Sequence, residues 1–254
     1  MLPIVFRRSL LWAVAFCLAC CLGCAGSNLN LPKIGGQANL TADEADTPPS
    51  SHGELPPKQA ARACMAAAEE MQNTGRAAEA ILLYEKARSH DPSLKSVAHH
   101  LAVLYDAQGD STKSLVEYQK ALECEPKNAN LLSDWGYYHY ERKNYAEAET
   151  ALRKALAIDA NHSKAQTNLG LVLAAQGRFD ESFAAFSKVV GPAAAHSNLG
   201  VLLAKQGRCE EAKQAFHQAL ALDATLQQPK VFLEYLESHQ GPNLGPVVAD
   251  ARLR

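Results

Sequence analysis

The sequence predicts an all-α solenoid of about five helix-turn-helix repeats, closed by a C-terminal capping helix and spanning residues 61–239. Three observations predict it. Small residues recur on a period: Ala68, Ala102, Gly136, Gly170 and Gly200 are spaced by 34, 34, 34 and 30 residues. Glycine stands at 75, 109, 177 and 207, where an A helix must turn into a B helix, and a glycine takes the left-handed conformation of a helix end cheaply. Ala and Leu dominate while aromatics make up 7%, a composition that favours helices over sheets.

Residues 1–24 stand before the fold. Arg7 and Arg8 form a basic region, and Leu10 to Cys21 is an apolar run of 12 residues. A membrane-spanning helix needs about 20, so the run reads as the core of a signal peptide. It closes in Cys21-Leu22-Gly23-Cys24-Ala25. A small residue before a Cys at this place resembles the lipobox of bacterial lipoproteins. That resemblance implies that Cys24 becomes the N-terminus and carries the lipid. Cys21 stands where the lipobox usually has Leu, and Cys20 after Ala19 is the rival acceptor. The other reading is an ordinary signal peptide, with the cysteines as apolar filler. A diacyl or triacyl Cys would satisfy the need for more than one chain in stable anchoring.

Residues 25–60 read as a disordered tether. Pro32, Pro48, Pro49, Pro56 and Pro57 oppose helix formation, Gly35, Gly36 and Gly53 loosen the chain, and few large apolar residues are available for burial. Its flexible part has an r.m.s. reach on the order of 30 Å. Of the seven cysteines, Cys64, Cys124 and Cys209 lie in the repeats. They form no C-x-x-C pair, and they read as small buried hydrophobes.

The repeats follow as 61–94, 95–128, 129–162, 163–192 and 193–226. Each places a small residue in helix A (Ala68, Ala102, Gly136, Gly170, Gly200), where helix B crosses closest. A second small residue opens helix B (Ala80, Ser114, Ala148, Ser182, Ala212). A large residue follows (Tyr84, Tyr118, Leu152, Phe186, Phe216) to fill the gap towards the next pair. Pro92 and Pro126 end helix B. Lys143 replaces the turn glycine in the third repeat, with modest strain. The apolar pattern Val231, Phe232, Tyr235, Leu236 predicts a cap over 229–239, and 240–254, with Pro242, Gly245 and Pro246, reads as a disordered tail. A 34-residue period with this order of small and aromatic positions resembles the tetratricopeptide (TPR) family.

The fourth repeat is four residues short, at Val189-Val190-Gly191-Pro192. Four residues approximate one helical turn, so a shortened helix B would nearly keep its buried face. Either this is a neutral deletion in a surface turn, or it reshapes the inner face at that junction.

The TPR resemblance implies that helix A lines a groove for protein or peptide ligands. By register, the groove candidates are His99, Asp106, Asp134, Tyr137, Tyr140, Lys164, Asn168 and Asn198. Asn168 and Asn198 share one position. Either their amides bond the backbone of an extended peptide, or they bond within the solenoid. Trp135 and Tyr138 read as core, and Tyr137 and Tyr140 as groove anchors. The matched Lys, Asn and Arg set of chaperone-binding TPR clamps is incomplete. No metal site is expected at His99, His100 or His139, and no cofactor is called for.

A charge of −2 argues against capture of nucleic acid. No P-loop, G-x-S-x-G or H-E-x-x-H motif is present. Acidic pairs such as Asp180-Glu181 open the B helices, where the helix dipole favours them. The expectation is a non-catalytic scaffold. With a lipoprotein leader, the run AAAHSNLGVLLAKQGR after a short repeat resembles the TadD-type lipoproteins of tight-adherence pilus systems. That resemblance implies envelope partners such as a secretin or pilus subunits. It also implies anchoring on the periplasmic side of the outer membrane, since Ala25 rather than Asp follows Cys24. The alternative is an adaptor that presents substrate to a separate enzyme.

Overall fold

The computed structural model describes residues 55–238. Among them ten α-helices follow one another without a strand. They are α1 (Pro57–Asn73), α2 (Ala77–His90), α3 (Ser96–Ala107), α4 (Ser111–Cys124), α5 (Ala129–Glu141), α6 (Tyr145–Ile158), α7 (Ser163–Ala175), α8 (Phe179–Lys205), α9 (Cys209–Leu222) and α10 (Gln227–Ser238). The A helices are α1, α3, α5, α7 and the second half of α8. The B helices are α2, α4, α6, the first half of α8, and α9. Residues 1–54 and 239–254, with the leader, Cys24, most of the tether and the tail, lie outside the described residues.

Sequence chemistry sets the helix ends. Gly75, Gly109, Gly177 and Gly207 all have φ of 76–79°, and Lys143 adopts φ 61° in their place. A left-handed conformation costs an ordinary residue roughly 1–2 kcal/mol, so the third turn is the strained one. At the other end of three B helices an aspartate builds the connection. The Oδ1 atoms of Asp91, Asp159 and Asp223 accept hydrogen bonds from the backbone N–H of Ser93, Asn161 and Thr225 at 3.0, 3.0 and 2.8 Å. These turns let the chain reverse into the next A helix. Arg178 opens the first half of α8 and bonds Glu181, three residues on, at 2.7 Å. Arg76 with Glu79 and Arg208 with Glu211 repeat the pattern. An acidic residue in the first turn of these three B helices thus pairs with the preceding arginine as well as meeting the dipole.

Each A helix meets its B helix through the small-to-large pair. A Cβ added at Gly136 would lie 2.6 Å from Leu152 Cγ; at Gly170 it would lie 2.7 Å from the Phe186 ring, and at Gly200 2.6 Å from the Phe216 ring. Glycine is therefore what lets these large side chains lie on the A-helix backbone. Where Ser replaces Ala at the start of helix B, its hydroxyl finds a partner. Ser114 Oγ donates to the Ala102 carbonyl at 2.9 Å, and Ser182 Oγ to the Gly170 carbonyl at 2.8 Å. Buried Tyr84, Tyr118, Phe186 and Phe216 then carry the core from one pair to the next. Phe216 stacks on Phe232 of α10, with ring centroids 5.3 Å apart. The cap thus covers the apolar end that the last repeat would otherwise expose.

Four expectations are corrected. Helix α1 begins at Pro57, inside the expected tether 25–60. Proline breaks a helix interior, but at the first position it loses no hydrogen bond, and Pro56 and Pro57 open the helix. The cap begins at Gln227, two residues early, with Pro229 inside its first turn. The cysteines are not buried: Cys124 is exposed, and Cys64 and Cys209 are half-buried. The fourth repeat does not lose a full helical turn. Its B helix runs from Phe179 to Gly191, where φ 79° and ψ 167° break the helix, and Pro192 starts the next A helix at once. The aspartate turn is absent there, so the missing residues come partly from the helix end and partly from the connection.

Candidate peptide-binding face

The A helices bring four of the eight groove candidates into two cross-repeat links. His99 on α3 and Lys164 on α7 share one carboxylate on α5. The Asp134 oxygens lie 2.9 Å from His99 Nε2 and 2.5 Å from Lys164 Nζ. Burial pushes the Asp134 carboxyl up, but hydrogen bonds from His99 and Lys164 outweigh it and hold the carboxyl below its usual range. The carboxylate is 13% exposed, whereas the Lys164 side chain is 59% exposed. Lys164 therefore reaches over the link from solvent.

Asp106 forms the second link with Arg142, a residue that register reasoning missed. The guanidinium bonds Asp106 at 2.7 Å, Ser111 Oγ at 2.9 Å and the Tyr138 carbonyl at 2.9 Å. It also lies 3.4 Å from the centre of the Tyr138 ring. Its signal in the sequence was the lost turn glycine: repeat three writes Arg142-Lys143-Asn144 where the other four have glycine in the middle place, as in the Gln-Gly-Arg of repeats four and five.

Tyr137 and Tyr140 are one turn apart on α5, with ring centroids 5.8 Å apart, and Tyr145 extends the row by 6.1 Å. Tyr137 is 38% exposed. Burial and a hydrogen bond to Glu141 push its hydroxyl pKa up to about 12, and burial and Glu141 raise that of Tyr140. Trp135 and Tyr138 stack at 5.0 Å; Tyr138 is buried in the core, as expected, and Trp135 is half-buried against it.

Asn168 and Asn198 are 7% and 2% exposed. The Asn168 amide donates to Ser133 Oγ of the preceding repeat at 3.5 Å. Beside Asn198, Ser197 Oγ donates to Gln228 of the cap at 3.0 Å. Both residues are thus buried among the packed helices, whereas Tyr137 is exposed.

Among the described residues no group of three or more His, Cys, Asp or Glu side chains could hold a metal ion. None of their helices is long and apolar enough to cross a membrane. A hollow of about 470 Å³ lies between α2 and α4, lined by Ile81, Leu82, Tyr105 and Val116 with Glu85, Lys113 and Glu117 at its edges. Sequence register did not anticipate it, because it depends on side chains of three helices coming together.

Family models described as Tetratricopeptide repeat match residues 96–128, 133–198 and 193–226. Over 100 residues the chain is 33% identical to the Type IV pilus assembly protein PilF of Pseudomonas aeruginosa, covering 39% of this chain and 40% of that protein. Over 105 residues it is 31% identical to Protein POLLENLESS 3-LIKE 2 of Arabidopsis thaliana, covering 39% and 24%. The matches thus span less than half the length of these curated relatives. Among solved structures, Pseudomonas aeruginosa PilF is similar with a TM-score of 0.55 at 23% identity, over 72% of this chain and 85% of that one. YrrB, described as a TPR protein with an unusual peptide-binding site, is similar with a TM-score of 0.50 at 21% identity, over 66% and 89%. These structural likenesses bear on the fold. Period, paired small and large residues, and family matches agree: the chain is a tetratricopeptide-repeat protein.

Proposed function

We propose that this chain is a non-catalytic scaffold, lipid-anchored through Cys24 in a bacterial envelope, whose A-helix face binds extended segments of proteins that assemble a pilus or secretion system. The TPR fold supports protein or peptide partners. The observation that carries the envelope reading is the 33% identity to a pilus assembly protein over 100 residues of the repeats, joined to a leader that resembles a lipobox. His99, Asp106, Asp134, Tyr137, Tyr140, Lys164, Asn168 and Asn198 are the proposed face. Within it the tyrosines and Lys164 meet solvent, and the other side chains hold the A helices in place. A TadD-like role on the periplasmic side of the outer membrane is the specific form of this reading.

The test is palmitate labelling of wild type and Cys24→Ser, followed by capture of partners from solubilised membranes. The expected result is loss of label and of membrane retention in the variant, with pilus or secretin components captured by wild type. Unchanged labelling would overturn the assignment of Cys24 and direct attention to Cys20. Capture of a separate enzyme in stoichiometric amount would favour an adaptor that presents its substrate.

A further inference from the structure

The structure contains a worked example of how this surface holds a guanidinium. Arg142 lies over the Tyr138 ring at 3.4 Å while bonding the Asp106 carboxylate at 2.7 Å. Arg208 repeats the arrangement, 4.2 Å from the Phe179 ring centre and bonded to Glu211. An aromatic face beside a carboxylate is the chemistry that receives arginine, because the ring quadrupole and the anion both attract a weakly hydrated planar cation.

One more set of this kind stands on the outer part of the A-helix face, and no side chain of the described residues fills it. Tyr137 and Tyr140 lie 5.8 Å apart on one side of α5. Glu141 is exposed and follows Tyr137 by one helical turn. Among the described residues Glu141 enters no salt bridge; its contact is with the Tyr137 hydroxyl. The charges that bear on the two rings are those of Glu141 and Asp106, with no cation among them. The patch is thus aromatic and acidic while the whole chain is nearly neutral, at −2.

We propose that Tyr137, Tyr140 and Glu141 form a docking point for arginine side chains of an extended, basic partner segment. The guanidinium lies on the tyrosine rings and bonds the Glu141 carboxylate, as Arg142 does with Tyr138 and Asp106. Alternate side chains of an extended strand share one face at about 6.4–6.8 Å. This is close to the ring spacing, so the row Tyr137, Tyr140, Tyr145 accepts a segment with arginine at every second position. The proposal rests on the reading of the A-helix face as a peptide site and narrows it to a class of ligand.

The experiment uses the full chain in detergent and a fluorescein-labelled Gly-Ser peptide with arginine at alternate positions, followed by fluorescence anisotropy. Control peptides carry lysine, or citrulline (the neutral shape mimic of arginine), at the same places. The expected order is arginine above lysine, with citrulline weaker than arginine by on the order of tenfold. Tyr137→Ala and Glu141→Gln should each weaken the arginine peptide by a similar factor, while Tyr137→Phe keeps most of the binding. Far-ultraviolet circular dichroism checks that the variants fold; both positions are exposed, so folding should persist.

Equal binding of the arginine and citrulline peptides would overturn the proposal, as would full binding by folded Glu141→Gln. No binding of any probe would also overturn it. The broader peptide-site reading is judged separately: envelope partners captured by wild type and retained by Glu141→Gln would leave that reading standing without this docking point.

Discussion

Repeats two and three differ from repeats four and five in what joins them. In the first pair, polar side chains cross from one A helix to the next: His99 meets Asp134 and Arg142 reaches Asp106, while Lys164 of repeat four closes on the same Asp134. In the second pair the A helices, apart from Lys164, are rich in Asn, Ser, Ala, Leu and Val, and large rings lie on glycine. The connection also differs, with an aspartate turn closing repeat three and the single break at Gly191 closing repeat four. The same 34-residue plan thus tolerates two kinds of cement. A solenoid needs only that each repeat cover its neighbour's apolar face, so polar or apolar side chains can supply the remaining link. The polar kind leaves charge and tyrosine near solvent, which suits a binding surface.

This contrast can be broken most strongly through the rings. Phe216→Ala should cost about 3–5 kcal/mol, read by urea unfolding, with hydrogen exchange rising first in α9 and α10. A loss confined to less than about 1 kcal/mol would mean that α10 does not depend on that ring. Gly200→Ala drives a Cβ into the same ring and should cost about 1–3 kcal/mol. At Gly191 an added Cβ meets no atom within 4 Å, so Gly191→Ala isolates the backbone term. It should cost about 1–3 kcal/mol, because that conformation belongs to glycine, and thermal unfolding would report it.

In repeat three the sign reverses. Lys143→Gly should stabilise by about 1 kcal/mol by relieving a left-handed lysine, visible as a higher urea midpoint.

The smallest effect sharpens the comparison by pH. Burial lowers the pKa of His139 in repeat three and His196 in repeat five. A histidine whose folded pKa is depressed contributes stability that is present above its unfolded value, about 6.5, and lost as pH falls towards the folded value. Both regions should therefore loosen on mild acidification. The Asp134 carboxyl is also depressed. Its contribution is present above the unfolded value, about 3.9, and lost as pH falls through the folded one. Other carboxyls, among them Glu149, Glu181 and Asp223, are depressed as well, so the Asp134 share is the part of the acid loss in α3, α5 and α7 that Asp134→Asn removes. Hydrogen exchange across a pH series checks both steps; an acid loss in α3, α5 and α7 that Asp134→Asn leaves unchanged in size would sink the assignment.

Most of the architecture was legible in the sequence because it is periodic. The small residues at 68, 102, 136, 170 and 200 mark where helices cross, and glycine marks where they turn. Such constraints are local, and each residue type declares its role through size or permitted φ. The shortened fourth repeat was also visible, but how its missing residues divide between helix and connection was not. That division depends on whether Gly191 can end one helix and Pro192 begin another without a turn between them.

The proposed site was less legible. Register placed His99, Asp134 and Lys164 on one face, but only packing brought an imidazole and an ammonium group to one carboxylate. Arg142 escaped register altogether, since its reach to Asp106 spans 36 residues and follows from a flexible side chain rather than a fixed helix position. The burial of Asn168 and Asn198 likewise depended on neighbouring repeats. The sequence by itself determined the helices, their pairing and the order of the repeats, because those rest on short-range sterics and apolar periodicity. Tertiary structure alone decided which polar groups pair and which meet solvent, because that depends on the distances between side chains a full repeat apart.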